Sequence, residues 1–84
     1  MITGLVREWH DDEGWGVIDS EATPGGCWAH FSVVTMPGFR RLIPGTEVLF
    51  EPQQPGQDGF AFAAGEVRQI SARPGGVPPR RSAA

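Results

Sequence analysis

Three aromatic clusters carry the chemistry this chain could perform: Trp15 in Gly14-Trp15-Gly16-Val17-Ile18, then Trp28-Ala29-His30-Phe31, then Gly38-Phe39-Arg40. Flat π faces exposed on a sheet are surfaces on which unpaired bases stack. The first two clusters have the two-residue period of strands. Trp15 and Val17 are therefore expected on one face of a strand, with Trp28 and His30 on the same face of its neighbour. Val6, Ile18, Cys27, Ala29, Val48, Phe50 and Val67 supply an alternate apolar face, which leaves Trp15, Trp28 and His30 pointing away from the core. Exposed aromatics of this size call for a ligand or a partner. Phe60 and Phe62 are assigned to packing or edge contacts.

Other chemistries are poorly supplied. His10, Cys27 and His30 are metal-ligand types without ligand spacing, and strand alternation turns Cys27 inward where His30 points outward, so no metal or other cofactor is expected. Asp11, Asp12 and Glu13 crowd a turn that solvates them, or that repels a phosphate backbone by like charge. No nucleophile elbow and no phosphate-cradling loop with a lysine is present, so the chain is not read as an enzyme.

The elements that must position these residues are short. A chain of 84 residues supports one small domain, and 12 glycines with 8 prolines point to short strands joined by tight turns rather than to a helical bundle. Turn signals at Asp11–Gly14, Pro24-Gly25-Gly26, Pro37-Gly38, Pro44-Gly45, Pro55-Gly56 and Asp58-Gly59 divide the chain. Strands are predicted at about residues 3–10, 15–20, 26–31, 46–52 and 61–70. The predicted class is all-β, with a domain over residues 1–70 and a disordered, basic Pro/Gly/Arg tail over 71–84. The single cysteine, Cys27, excludes an internal disulfide. With no signal-peptide pattern and no apolar run approaching the roughly 20 residues of a membrane span, a cytoplasmic location away from membranes is expected.

Five short strands with a long connection after the third suggest a five-stranded OB-fold Greek-key barrel. The run Gly4-Leu5-Val6-Arg7-Glu8-Trp9-His10-Asp11-Asp12-Glu13-Gly14-Trp15-Gly16-Val17-Ile18 resembles, without a gap, the opening of the cold-shock domain family. In that family a lysine, tryptophan, phenylalanine and asparagine precede a lysine-led glycine-aromatic-glycine-phenylalanine-isoleucine motif. Cys27-Trp28-Ala29-His30-Phe31-Ser32 resembles the family's second ribonucleoprotein motif. Gly38-Phe39-Arg40-Arg41-Leu42 and Pro44 to Glu51 resemble its loop and fourth strand, and Ala63-Ala64-Gly65-Glu66-Val67 its fifth. The resemblance covers about residues 2–70.

The resemblance implies binding of single-stranded RNA or DNA with little sequence preference, in the service of RNA chaperoning or of transcription and translation control. Bases would stack on Trp15, Trp28, His30, Phe31 and Phe39, with Trp9 at the rim. Arg7 and Arg40 would meet phosphate, and His10 would take the asparagine's polar place. Three residues depart from the pattern: Glu8 replaces a stacking tryptophan, Val17 a stacking phenylalanine, and Glu13 a lysine. Each stack is worth roughly 1–3 kcal/mol, so losing one or two weakens binding by on the order of tenfold to several thousandfold.

Charge opposes this reading in part. All 7 basic residues are arginine, and Arg73, Arg80 and Arg81 lie in the tail, so residues 1–70 hold four arginines against all 10 acids, near −6, and the tail is near +3. Polyanion ligands favour basic surfaces. An alternative function on the same fold is a protein-interaction module, with the acidic, tryptophan-rich face taking a basic segment or another copy of the chain. Deletion of residues 71–84 is expected to leave thermal unfolding unchanged while flattening the salt dependence of oligonucleotide binding, because a basic arm outside the core contributes counterion release and not packing. An earlier melt, or an unaltered salt slope, would contradict that role.

Overall fold

In the computed structural model, which describes residues 1–35 and 41–70, the strands stop where the turn-forming residues fall. β1 (Ile2–His10) runs into the Asp11–Gly14 turn, β2 (Trp15–Asp19) into the loop holding Pro24-Gly25-Gly26, and β3 (Cys27–His30) into a single 3-10 turn over Phe31–Val33. β4 (Val34–Thr35), β5 (Glu47–Gln53) and β6 (Phe62–Gln69) follow. The five expected strands are all present, their ends displaced by one residue at most. β4 is an addition, a two-residue strand in what was expected to be connecting chain. The expectations for Phe39, Arg40 and the tail lie outside the described residues.

Two of the turns show why glycine is needed. At Gly14, φ is +78°, its N–H donates to the His10 carbonyl at 2.7 Å, and the Phe31 ring lies where a side chain at this position would begin. At Ile43-Pro44-Gly45-Thr46 the Thr46 N–H closes on the Ile43 carbonyl at 3.0 Å, and Gly45 has φ +90°, the geometry of a type II turn.

β1 pairs antiparallel with β2 on one side and β5 on the other; β2 continues to β3 and β5 to β6, also antiparallel. Parallel pairing of Cys27 and Trp28 with Phe62 and Ala63 joins β3 to β6 and closes a five-stranded barrel. β4 adds to β6 through Val34 and Thr35. Pro52 sits within β5 without breaking the sheet because β1 covers β5 only along Glu47–Phe50 and the β6 ladder shifts register at Glu51/Pro52. All seven residues assigned to the inner face are buried, and Val34, Leu42 and Ala64 complete the core. No helix of the described residues is long and apolar enough to cross a membrane.

Cys27 is fully buried in this core, and loss of hydration pushes its thiol up to about 11 from an ordinary value of 9.0. A group whose pKa is raised on folding contributes stability that is complete below its unfolded pKa and lost as pH rises through its folded pKa. The chain contains no lysine and no tyrosine, so Cys27 is the one side chain that ionises in this window. Stability is expected to fall between about pH 9 and about pH 11. Denaturant unfolding at stepped pH should show this slope in the parent and a flat profile in Cys27→Ala; an identical slope in the variant would contradict it.

Candidate functional site

Cross-strand register builds two rows over the outer face of β1, β2 and β3. His10 pairs with Trp15 and Trp15 with His30 in one row; Glu8 pairs with Val17 and Val17 with Trp28 in the next. Strand alternation directs all six away from the core cluster. Their rings meet in series: His10 to Trp15 with centroids 4.4 Å apart, Trp15 to Trp28 at 6.3 Å, Trp28 to His30 at 5.9 Å, and His30 to Phe31 at 4.6 Å. The two middle pairs are near-parallel, at 22° and 24°. Aromatic pairs of this kind are worth about 0.5–1.5 kcal/mol each beyond the area they bury. The five rings form one continuous ribbon.

Hydrogen bonds at the ring edges hold the ribbon's orientation. Trp15 Nε1–H donates to Glu13 Oε1 at 2.8 Å, and His10 Nε2 lies 3.1 Å from Glu8 Oε2. A carboxylate only accepts, so His10 Nε2 carries a proton. Ser32 donates its backbone N–H to His30 Nδ1 at 3.2 Å, with its hydroxyl 2.8 Å from the same nitrogen, making His30 the cap of the 3-10 turn. In the neutral ring this leaves the His30 proton on Nε2. The Trp28 indole N–H is shielded from solvent and has no partner among the described residues. With one indole N–H engaged and the other shielded, neither indole N–H is free for a ligand, and both tryptophans are partly exposed.

Other predicted site residues are placed differently. Val17 shares the face of Trp15 as expected, yet it is fully buried and is no open part of the platform. A side chain added at Gly26 would strike both Val17 Cγ1 and Arg7 Nη2, so the Pro24–Gly26 loop and the Arg7 arm close over that side chain. Trp9, expected at the rim, packs against the core instead, because it pairs with Gly16 on the inward-facing side of the ladder. Phe31 is exposed at the ribbon's end, and its N–H donates to the Gly14 carbonyl at 2.8 Å.

Arg7 is the extra residue of a β-bulge between Val6 and Glu8, and it turns toward Asp19. Nη2 and Nε donate to Asp19 Oδ1 at 2.6 and 3.0 Å, and Nη2 also reaches the Gly25 carbonyl at 3.2 Å. The hydrogen bond with Asp19 pushes the guanidinium's pKa further up. Arg41 pairs with Asp11 at 2.8 Å and Arg68 with Glu66 at 2.7 Å, so each arginine among the described residues has a carboxylate partner. The Arg7–Asp19 side chains remain 41% and 50% exposed, which puts the pair at no more than about 1 kcal/mol. A phosphate could displace Asp19 from Arg7 at that cost.

Asp19, Ser32 and the ring-holding roles of Glu8 and Glu13 were not read from the sequence. The spacing His30-Phe31-Ser32 carried a usable signal, since a histidine can accept locally from the backbone N–H of a serine two residues on. Arg7–Asp19 had none, because a bulge cannot be counted from alternation.

No protein-family model matches the chain. Among individual proteins, it is similar to a cold shock-like protein CspD of Vibrio cholerae, 35% identical over 60 residues that span 71% of this chain and 78% of the relative. A cold shock-like protein CspG of Shewanella violacea is 36% identical over 61 residues, 73% of this chain and 86% of the relative. A cold shock-like protein CspE of Bacillus anthracis is 40% identical over 52 residues, covering 60% and 73% respectively.

Proposed function

The chain belongs to the cold-shock protein family, and on that premise we propose that it binds single-stranded RNA or DNA by stacking bases on the ribbon of His10, Trp15, Trp28, His30 and Phe31. The observation that carries this reading is the ribbon's continuity: five rings in series on one sheet face, with the two indoles near-parallel. Phe39 and Arg40, which the resemblance adds to the site, lie outside the described residues, and Arg7 meets phosphate by exchanging Asp19 for it. Such binding keeps RNA single-stranded or modulates transcription and translation, and a single buried thiol suits a reducing cytoplasm.

Affinity is weak by this account. Stacking supplies roughly 1–3 kcal/mol per base, while Glu8, Asp12 and Glu13 repel the backbone and the nearby arginines are already paired. A second reading, capture of a basic protein segment, is favoured by that same acidic surround.

Titration of the full chain with labelled oligo-dT and oligo-U at low and high salt separates the two. Tryptophan emission is expected to fall as oligonucleotide is added, with a log–log salt slope of about −2 from the two or three phosphates that the arginines of the face can neutralise and a steeper slope where the basic tail takes part. Trp15→Ala or Trp28→Ala should weaken binding by about five- to 150-fold, the equivalent of one stack. Unchanged emission with unchanged anisotropy at tens of micromolar protein would favour the protein-segment reading.

A further inference from the structure

We propose that Glu8 and Glu13 make guanine the base that this face prefers. The inference rests on the base-stacking reading above and adds to it the hydrogen-bonding edge that the stacked base must present.

Each carboxylate gives one oxygen to a ring of the ribbon, Glu13 Oε1 to the Trp15 indole and Glu8 Oε2 to the His10 imidazole. The other oxygens, Glu13 Oε2 and Glu8 Oε1, have no hydrogen-bond partner among the described residues. Because a ring N–H donates along the plane of its ring, the two carboxylates lie at the rims of Trp15 and His10 and not over their faces. Those two rings are themselves in contact, with centroids 4.4 Å apart, so both carboxylates border one patch of aromatic surface. A base stacked on that patch turns an edge toward them.

A carboxylate accepts hydrogen bonds and cannot donate them, and each oxygen has two lone pairs. Guanine alone carries two adjacent donors on its Watson–Crick edge, N1–H and the N2 amino group. Uracil and thymine present one N3–H between two carbonyl oxygens that a carboxylate repels. Adenine and cytosine present one amino group beside a ring-nitrogen acceptor. Acid-lined stacking surfaces therefore select guanine, and recognition of unstacked bases commonly runs through this edge. The carboxylates thus cost phosphate affinity and return base selectivity.

The test uses the full chain and short oligothymidine strands whose central base is guanine, hypoxanthine or thymine, read by anisotropy at one fixed salt concentration. The guanine strand should bind about tenfold tighter than the thymine strand, the discrimination of one bidentate contact. Hypoxanthine, which is guanine without the N2 amino group, should lose most of that advantage. Glu8→Gln and Glu13→Gln each offer one acceptor and one donor in the same volume; loss of the guanine advantage in either supports the proposal and names the residue, and thymine binding should tighten as a repelling charge is removed. Circular dichroism of both variants checks that the barrel is intact. Equal affinity for the three strands with tryptophan quenching retained would overturn guanine selection and leave base stacking standing. A guanine advantage that survives both substitutions would also overturn it, and failure of every strand to bind would overturn both readings.

Discussion

Val6 paired with Ile18, and Ile18 with Cys27, anchor β2 between its neighbours inside the barrel, and those contacts dictate which side chains reach the opposite face. Strand side chains alternate, so a slip of one residue would bring Trp15 and Trp28 into the core and expose Ile18 and Cys27. Burial of Ile18, Cys27 and Ala29 makes that slip prohibitive. The aromatic ribbon is therefore a consequence of core packing. The parallel β3–β6 pairing reinforces it by tying Cys27 and Trp28 to Phe62 and Ala63, so that the strand bearing Trp28 and His30 is not a free edge.

The acidic residues acquire a different meaning once their partners are known. On net charge alone, Glu8 and Glu13 only oppose a polyanion. In place, each fixes the edge of a ring, Glu13 that of Trp15 and Glu8 that of His10. A ring already held in orientation loses less freedom when a base lands on it, and preorganisation of this kind offsets part of the electrostatic penalty. The half-exposed Arg7–Asp19 pair belongs to the same balance, since at about 1 kcal/mol or less it can be exchanged for phosphate. On the proposed reading, stacking dominates binding and charge trims it.

Strand limits, the core and the outward rows were legible because alternation and turn chemistry are local and strong. Trp15, Trp28 and His30 could be placed on the outer face because each stands an odd number of residues from inward-facing Ile18 or Cys27. Counting fails where the chain leaves the ladder. The bulge at Arg7 shifts the phase of β1, which brings Arg7 to Asp19 and Trp9 to the core. Burial of Val17 depends on a loop folding back over β2, a tertiary event with no mark in the local pattern. β4 is two residues long and exists through its parallel partner Val67, so propensity alone could not reveal it.

Nuclear magnetic resonance of the indole and ring protons during titration with a single-stranded oligonucleotide tests the central claim at the level of individual residues. The three indole N–H signals, from Trp9, Trp15 and Trp28, can be assigned by single substitutions. Stacking on the ribbon predicts upfield ring shifts at Trp15, Trp28, His30 and Phe31, with Trp9 lagging because it faces the core. Shifts centred on Leu5, Leu49 and Ile70, on the β1–β5–β6 side of the barrel, with the ribbon unmoved, would contradict it.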